Sequence, residues 1–362
     1  MIDRDFTIGV EEEYMICDPL SGELVDRADI IMSNLPKDRL NRFSYELILS
    51  EIESNTKICN TVKEAIDELR LNRNFLQQLG DANDYCIGLS GTHPTANPSK
   101  QKFVKNDSYN WVSNQLKYYA KRNITFSTHI HIGLRDSEDI IKATNSLRRW
   151  IAPMLALTAN SPFFDGEKTG MHSSRTFQFS TFPRTNIPGY IKSLSEYNNL
   201  VQLYKDSKSI EKDRQIWWKI RPHTEYGTVE FRVCDVQLSL ERTEMIVALV
   251  QALVHTIVNE NSTLKADFNY EILQDGLWKS SKYGIDCFVI DPLDEKNINM
   301  KTMIKKMLNY CNNSLKYFNT THIIETVNFI LSDGSESYNQ LKIYEEGGLD
   351  KLKQYLLNSD NW

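Results

Sequence analysis

The sequence has no long apolar segment, and its few cysteines are dispersed. No stretch approaches the roughly 20 apolar residues that a membrane-spanning helix needs, and the first residues, MIDRDFTIGVEEE, lack the apolar core of a signal peptide. No CxxC pair or dense cysteine framework occurs among Cys17, Cys59, Cys86, Cys234, Cys287 and Cys311. We therefore expect a cytoplasmic protein with reduced thiols and no membrane partner.

Three common motifs are also missing. The sequence contains no GxxxxGK[ST] loop, no GxGxxG that opens a helix after a strand, and no GxSxG. These absences argue against P-loop, Rossmann and α/β-hydrolase folds. The formal net charge is −6 and the basic residues are scattered, so no basic tract could neutralise the phosphates of a nucleic acid. We expect small-molecule partners and no nucleic acid.

What the sequence does have is an ordinary globular composition. Its 362 residues are 41% hydrophobic and 25% charged, enough to form a large core. We find no internal repeat and no low-complexity linker, which predicts a single α+β domain over residues 1–362. The oligomeric state is left open, with a homo-oligomer as one option.

Hydrophobic periodicity predicts the elements of the first half. Alternation predicts a strand at 6–17, and a second strand at 124–134 has Ser127, His129 and His131 on its polar face. A capping box predicts a helix over 61–79 that stops at Gly80. Two further segments are a long helix at 137–160, bent or divided at Pro153, and a structured loop at 161–190.

The second half is predicted to be more helical. Strands at 214–222 and 226–236 are separated by a short polar turn, which is typical of an antiparallel hairpin. In the second of them, Thr228, Glu230, Arg232 and Cys234 should share one face. A mostly apolar helix is predicted at 239–259, and the remaining 100 or so residues read mainly as helix.

The first candidate site is the segment GVEEE at the start of the chain. Strand geometry places Glu11 and Glu13 on one face, only about 7 Å apart. Mg²⁺ prefers oxygen ligands and binds through one or two carboxylates plus substrate phosphates. The alternative is a solvated strand face that carries surface acids.

The second candidate is the segment ELILSEIESNT, where Glu46, Glu51 and Glu53 interrupt an apolar run. Buried acids need partners or metals. Glu46 and Glu53 are seven residues apart and would face opposite ways in an unbroken strand, so a bulge or bend is required if both serve one site. An edge strand with surface acids is the alternative.

Two imidazoles and three arginines complete the set. His129 and His131 share the polar face of a strand, where they could bind metal or could be hydrogen-bonded interior histidines. Glu230 and Arg232 share another strand face, with Arg221 and Arg175 in polar segments nearby. Arginine matches phosphate and carboxylate geometry, although an ion pair between strand neighbours is the alternative.

Taken together, these segments resemble the YbdK-like carboxylate–amine ligases of the glutamate–cysteine ligase type 2 family. The resemblance runs from about residue 6 to 235. It rests on eight collinear motifs: GVEEE, ELILSEIESNT, GTHP, STHIHIGL, LTANSPFFDGEKTGMHSSR, FPRTNIPG, WWKIRP and GTVEFRVCD.

The resemblance implies a glutamine synthetase-like fold, with a curved, mainly antiparallel sheet and flanking helices. It also implies ATP and Mg²⁺ as cofactors, and a reaction in which ATP phosphorylates a carboxylate, typically the γ-carboxylate of glutamate. An amine such as cysteine then forms an amide, and ADP and phosphate are released.

Site roles also follow from the resemblance. The positions that look like metal ligands are Glu11, Glu13, Glu53, His129 and Glu230. Arg232 and Arg221 are implied to bind the nucleotide or substrate, and Glu46 to be a further metal ligand or amine contact. Arg232, Glu230 and Arg175 are the implied catalytic group.

Two other functions stay open on the sequence alone. A guanidino-kinase-like phosphotransferase would use a related fold to phosphorylate a nitrogen without ligation. A sensor could keep the binding face for nucleotide or amino acid and lack turnover. The appearance or absence of an amide product separates these functions from a ligase.

Overall fold

A computed structural model of the chain describes residues 5–105, 107–259 and 266–362. Its largest feature is a seven-stranded sheet in the order β2-β3-β1-β5-β9-β8, with β4 paired to β1. Every pairing in this sheet is antiparallel. The strands are β1 Ile8–Cys17, β2 Phe43–Tyr45, β3 Glu51–Asn55, β4 Cys86–Gly88, β5 Ser127–Gly133, β6 Phe163–Phe164, β7 Glu167–Lys168, β8 Ile220–His223, β9 Thr228–Asp235, β10 Phe288–Ile290 and β11 Asn297–Asn299.

Helices flank the sheet and form most of the C-terminal part. They are α1 Ala28–Ser33, α2 Val62–Asp81, α3 Asp107–Leu116, α4 Tyr118–Lys121, α5 Ser137–Leu147, α6 Ile151–Thr158, α7 Ser174–Phe179, α8 Leu194–Asp206, α9 Leu240–Asn259, α10 Tyr270–Tyr283, α11 Met300–Tyr317, α12 Ile323–Asp333 and α13 Glu336–Leu357. The predicted α+β class and the mainly helical C-terminal region are confirmed.

The two faces of the sheet differ in chemistry because side chains alternate along each strand. Ile8 and Val10 of β1 belong to a large apolar core together with Ile130 of β5 and Phe231 of β9. The polar residues between them project to the opposite face. The sheet therefore separates an apolar, helix-covered side from a side that carries acids, histidines and arginines.

Helix α9 lies in the centre of the apolar core. It is buried along most of its length and packs against β5, α2, α5 and α11. A helix that is apolar on nearly all sides is expected in the centre of a large core. In the part of the chain that the structure describes, no helix is long and apolar enough to cross a membrane.

The cap of α2 agrees with the sequence prediction. The Thr61 side chain accepts a hydrogen bond from the backbone N–H of Glu64 at 3.1 Å, and the Glu64 carboxylate accepts one from the N–H of Asn60 at 2.9 Å. The first bond satisfies a donor that the first helical turn leaves without an intrahelical acceptor, and the second fixes the chain just before the helix. The helix continues through Gly80 and ends at Asp81, two residues beyond the predicted range of 61–79.

The predicted helix over 137–160 is divided, but not at its proline. It consists of α5 and α6, joined by a 3₁₀ turn at Arg148–Trp150. Pro153 lies in the first turn of α6, where the missing N–H has no intrahelical acceptor and the ring is tolerated. The predicted loop at 161–190 is largely irregular, and it contains the short hairpin β6–β7 and the six-residue helix α7.

The hairpin predicted at 214–236 is confirmed as β8 and β9, with shorter strands than expected. Residues 213–215 form a 3₁₀ turn, and the strand predicted at 124–134 likewise begins only at Ser127. The placement of Cys234 was wrong. A register shift between β5 and β9 pairs Cys234 with Thr128 and directs its thiol into the apolar core, so Asp235 takes its place on the polar face.

The bend required in ELILSEIESNT is present. Glu46 directly follows β2, the chain turns through residues 47–50, and Glu53 lies in β3, which pairs antiparallel with β2. The turn brings the two acids to the same side of the sheet although they are seven residues apart.

Candidate active site

A cavity of about 760 Å³ lies against the polar face of the sheet. Such a volume is within the usual range for small-molecule and cofactor sites. The residues predicted from sequence that line it are Glu11, Glu13, Glu46, Glu53, His129, Arg175, Arg221 and Arg232. Glu230 is fully buried directly beneath this wall, in contact with two of its arginines.

Strand register explains why these residues meet. Glu13 lies opposite Glu53 in the pairing of β1 with β3, and Glu11 lies opposite His129 in the pairing of β1 with β5. Farther along the sheet, Glu230 lies between His131 on β5 and Arg221 on β8. Five strands, β3, β1, β5, β9 and β8, thus contribute residues in neighbouring rows to one face, although Glu11 and Glu230 are more than 200 positions apart in sequence.

One group consists of carboxylates alone. Oxygen atoms of Glu13, Glu46 and Glu53 all lie within 4.8 Å of one another. Burial raises the pKa of Glu46 well above its ordinary value, and the neighbouring Glu13 and Glu51 carboxylates raise it further. Burial and the Glu11 and Glu46 carboxylates likewise raise the pKa of Glu53. Three repelling oxygen ligands at this spacing suit a hard divalent cation such as Mg²⁺.

A second group combines carboxylates with an imidazole. Nε2 of His131 lies 3.3 Å from Glu11 and 3.7 Å from Glu230, and the three residues could hold a metal ion between them. Burial alone would raise the pKa of Glu11, but the facing His131 and His129 rings lower it well below its ordinary value. Burial would lower the pKa of His131, and the Glu230 and Glu11 carboxylates raise it instead.

His129 lies between the two groups. Its Nδ1 is 3.1 Å from Glu11, and its Nε2 is 2.7 Å from the Ser127 hydroxyl and 3.9 Å from Glu13. Burial lowers the pKa of His129, and the positive charge of Arg232 lowers it further. Because both ring nitrogens already have partners, a metal ion would bind His129 only by displacing one of them.

The arginines are held in defined positions. Nε of Arg221 donates to Glu230 at 2.5 Å, and Arg232 donates to the other oxygen of the same carboxylate. Burial would raise the pKa of Glu230, but these two guanidinium groups lower it below its ordinary range. The paired arginines could bind phosphate oxygens while the buried glutamate fixes their orientation.

Arg175 is anchored differently. Its guanidinium group donates to the backbone carbonyls of Val233 at 3.1 Å and Arg232 at 3.2 Å, and it lies 3.7 Å from Asp235. These contacts fix Arg175 against β9 at the edge of the cavity. Its Nε has no hydrogen-bond partner among the described residues.

Burial distinguishes between the alternative interpretations of these residues. The side chains of Glu11 and Glu13 are only 23% and 12% exposed, which is inconsistent with a solvated strand face. The pair Glu230–Arg232 is indeed an ion pair between residues of one strand, and it also lies at the cavity.

Two further residues of this face were grouped with the candidates but not among the implied site residues, and a third was missed. His131 was placed beside His129 on the polar strand face, and Glu51 was grouped with Glu46 and Glu53. Lys219 shares the strand parity of Arg221, so alternation alone could have placed it on this face. Glu51 lines the cavity and is 3% exposed. The aromatic residues Phe179, Phe182 and Trp217 also line it. Phe182 and Trp217 belong to the motifs FPRTNIPG and WWKIRP, but the sequence assigned none of the three to the site.

The sequence profile of glutamate–cysteine ligase family 2 matches residues 7–354. A candidate glutamate–cysteine ligase 2 of Solibacter usitatus is 33% identical over 362 residues, covering 98% of this chain and 94% of that protein. A protein of Rubrobacter xylanophilus with a similar designation, ligase 2-1, is 32% identical over 343 residues, covering 95% and 91% of the two chains.

Solved structures show the same fold at low sequence identity. The glutamate–cysteine ligase of Francisella tularensis, solved in complex with AMP, gives a TM-score of 0.72 at 12% identity and covers 98% of this chain and 88% of that one. A bifunctional glutathione synthetase of Pasteurella multocida gives 0.73 at 14% identity, covering 99% of this chain and 52% of that chain.

The expected glutamine synthetase-like fold class is thus confirmed, with an open, mainly antiparallel sheet and flanking helices. Family profile and sequence relatives agree over nearly the whole length of the chain. The chain therefore belongs to glutamate–cysteine ligase family 2 and is an ATP-dependent carboxylate–amine ligase.

Proposed function

We propose that the protein uses Mg²⁺ and ATP to phosphorylate the γ-carboxylate of glutamate and couples the product to cysteine or another amine. The observation that carries the proposal is that two groups of residues able to hold a metal ion lie at one cavity wall together with Arg221 and Arg232, with His131 and Glu230 just beneath the lining. The names of the relatives support glutamate as the acid. The identity of the amine is less well defined than that of the acid, and it is left as cysteine or another amine.

The residues divide into three roles. Glu13, Glu46 and Glu53 would hold one Mg²⁺ ion, and Glu11 and Glu230 a second, with His131 or His129 as the nitrogen ligand. Bound Mg²⁺ would neutralise charge on the nucleotide phosphates. Arg232 and Arg221 would bind phosphoryl oxygens, and Glu46 could also contact the incoming amine.

The reaction has two steps, phosphoryl transfer to the acid and amide formation. A carboxylate oxygen of the acid attacks the γ-phosphorus of ATP, and the bond to ADP breaks. The amine nitrogen then attacks the acyl carbon of the acyl phosphate, phosphate leaves, and the nitrogen loses a proton. No protein nucleophile is needed, because the site orients the substrates and stabilises charge on the phosphoryl group.

Arg232 is placed to act during phosphoryl transfer. It lines the cavity, is nearly buried, and is oriented by Glu230. A preorganised guanidinium group in a site with little water stabilises developing charge more strongly than one in solvent. Arg175 would bind a substrate carboxylate or phosphate through the donors that its backbone contacts leave free.

The test is a screen for ADP release with amino acids and amines supplied singly and in pairs, followed by mass spectrometry of the products. We expect release only when an acid and an amine are both present, with one amide formed per ADP. ADP release accompanied by a phosphorylated nitrogen compound and no amide would instead support a phosphotransferase. Binding of ATP without turnover for any pair would support a sensor.

Matched variants connect the activity to the cavity. Glu53→Gln should abolish ADP release, because it removes a charge from the group formed by Glu13, Glu46 and Glu53. Glu167→Gln is the control, since Glu167 lies exposed in the short hairpin β6–β7. Equal loss of activity in both variants would show that the effect is not specific to the site.

A further inference from the structure

Lys219 is a buried cation on the same face of the sheet as the proposed active site. Its carbonyl accepts a hydrogen bond from the N–H of Arg232 at 2.9 Å, which extends the pairing of β8 with β9 by one residue. Alternation from Arg221 directs the Lys219 side chain to the polar face. The residue is only 1% exposed.

Its ammonium group has no hydrogen-bond partner among the residues that the structure describes. The charged groups around it are Arg175, Arg232 and Asp235. Burial lowers the pKa of Lys219 from 10.5 to about 7, and the two arginines contribute to the decrease. An unpaired buried lysine close to the positive charges of two arginines is costly for the folded protein, and a compensating partner is expected.

Asp235 is the carboxylate among these charged groups, and it already has other hydrogen-bond partners. Asp235 accepts hydrogen bonds from the backbone N–H of Asn160 at 2.8 Å, the Ser161 hydroxyl at 2.7 Å and the Ser173 hydroxyl at 3.0 Å. It also lies 3.7 Å from Arg175. Asp235 therefore fixes the loop that precedes α7. Its negative charge is close to Arg175, and it forms no hydrogen bond with Lys219.

Two further buried donors of the cluster are unpaired. Nε of Arg175 and Nε of Arg232 have no hydrogen-bond partner in the described ranges, and both residues line the cavity. Phe179 also lines the cavity, and its ring centroid lies 5.3 Å from the Lys219 ammonium group. The Arg175 guanidinium carbon lies 5.9 Å from the centroid of the same ring. Lys219 is not itself part of the cavity lining, so its ammonium group lies directly behind the lining residues Arg175 and Phe179.

We propose that Lys219, together with Nε of Arg175 and Nε of Arg232, forms an oxyanion-binding position that a substrate group fills. The ligand is a carboxylate of the acid or amine substrate, or a phosphoryl group of the nucleotide. This inference rests on the proposed function, because it takes its ligand from that reaction. It makes Lys219 a specificity-determining residue for an anionic group.

A purely structural role makes a different prediction. If Lys219 serves only to pack its ammonium group over the Phe179 ring, its loss should destabilise the ligand-free protein. If its partner arrives with a ligand, replacing it by an apolar side chain of similar length should leave the ligand-free protein as stable or make it more stable. Affinity for the anion should then fall by about tenfold or more, since a charge-assisted hydrogen bond is lost.

The experiment compares the full-length wild type with Lys219→Met and Lys219→Gln by thermal denaturation and by titration calorimetry. Inorganic pyrophosphate and L-glutamate are the two probes, each titrated separately in the presence of Mg²⁺. We expect both variants to fold with an unchanged or higher Tm and to lose affinity for one probe. Loss for L-glutamate assigns the position to a substrate carboxylate, and loss for pyrophosphate assigns it to the phosphoryl group.

Lys353→Met is the matched control. Lys353 is also buried, but it forms ion pairs with Glu23 and Asp350, and none of these three residues lines the cavity. Its replacement should lower the Tm and leave both affinities unchanged.

The proposal is overturned if the Lys219 variants bind both probes as the wild type does, or if both variants are less stable than the wild type or fail to fold. These readouts do not require turnover, so a failure of the proposed ligation, seen as no ADP release by the wild type, remains a separate result.

Discussion

The Oε2 atom of Glu11 lies 3.1 Å from Nδ1 of His129, and the two residues are direct partners in the register of β1 and β5. This contact depends on strand parity, because a shift of one residue would exchange Glu11 for Glu12. Glu12 points the other way and forms a fully buried ion pair with Arg73 at 2.8 Å. Of these adjacent acids in the segment GVEEE, Glu11 therefore belongs to the candidate site and Glu12 to the core of the fold.

The first prediction concerns this difference. Glu12→Gln should lower the free energy of unfolding by roughly 3–5 kcal/mol, the cost of leaving one member of a buried ion pair unpaired. Glu12 also accepts hydrogen bonds from the hydroxyls of Tyr14 and Thr243, which adds to the loss. Urea denaturation measures the change. Glu11→Gln is the comparison and should cost less, because its side chain is 23% exposed and faces histidines instead of a buried guanidinium group; an equal loss in both variants would argue against separate roles.

A second prediction concerns the repelling carboxylates. Glu53→Gln should raise the Tm of the metal-free protein, because it removes one charge from the crowded group with Glu13 and Glu46. The same change should reduce the increase in Tm that Mg²⁺ produces in the wild type. Thermal denaturation with and without Mg²⁺ measures both effects. A lower metal-free Tm, with the full Mg²⁺ effect retained, would contradict a cation site at this group.

Arg232 provides a third prediction. Arg232→Lys keeps the charge but loses the planar fork that donates to Glu230 and faces the cavity. We expect the maximal rate of ADP release to fall by roughly 10²–10³, the scale seen when a preorganised transition-state donor is removed, while KM for ATP changes less. Initial rates across ATP concentrations separate the two constants. An unchanged maximal rate with a raised KM would make Arg232 a ground-state binder instead.

The fourth prediction is a pH dependence outside the site. Burial alone would raise the pKa of Asp291, but hydrogen bonds from Arg149 and Lys306 lower it from 3.8 to about 2. A carboxylate with a lowered pKa stabilises the fold above about pH 4, and this contribution is lost as the pH falls through 2. Asp291→Asn should therefore cost about 2 kcal/mol at pH 7 and almost nothing near pH 2.

Urea denaturation of the wild type and Asp291→Asn at several pH values checks this dependence. Asp294→Asn is a suitable comparison, because Asp294 lies farther from the same lysine, at 3.5 Å, and its side chain is 35% exposed. Its effect should be small at every pH. A stability difference between wild type and Asp291→Asn that stays constant from pH 7 to pH 2 would contradict the proposed origin of the shift.

Much of the candidate site could be predicted from local sequence. Period-2 alternation placed Glu11, Glu13 and His129 on polar strand faces, and the seven-residue spacing of Glu46 and Glu53 required the bend that is observed. Alternation no longer predicts which face a side chain occupies where the pairing of a strand is irregular. The register shift in β9 moved Cys234 to the core and Asp235 to the polar face, and no residue in the sequence marks it.

Long-range contacts could not be predicted in the same way. Arg149 meets Asp291 across 142 positions, and Arg73 meets Glu12 across 61, because packing of distant elements decides both pairs. Lys219 was overlooked for a related reason. Its isolation depends on the positions of Arg175, Arg232 and Asp235, which come from different segments of the chain.

The most direct test of the account follows oxygen atoms from the carboxylate substrate. Glutamate labelled with ¹⁸O in its γ-carboxylate is incubated with ATP, Mg²⁺ and the amine that gives the highest rate, and the released phosphate is analysed by mass spectrometry. If the carboxylate is phosphorylated and the amine then attacks the acyl carbon, one ¹⁸O atom passes to each phosphate and the amide retains the other. ADP release with unlabelled phosphate would show that the carboxylate is not phosphorylated, and would contradict the proposed reaction.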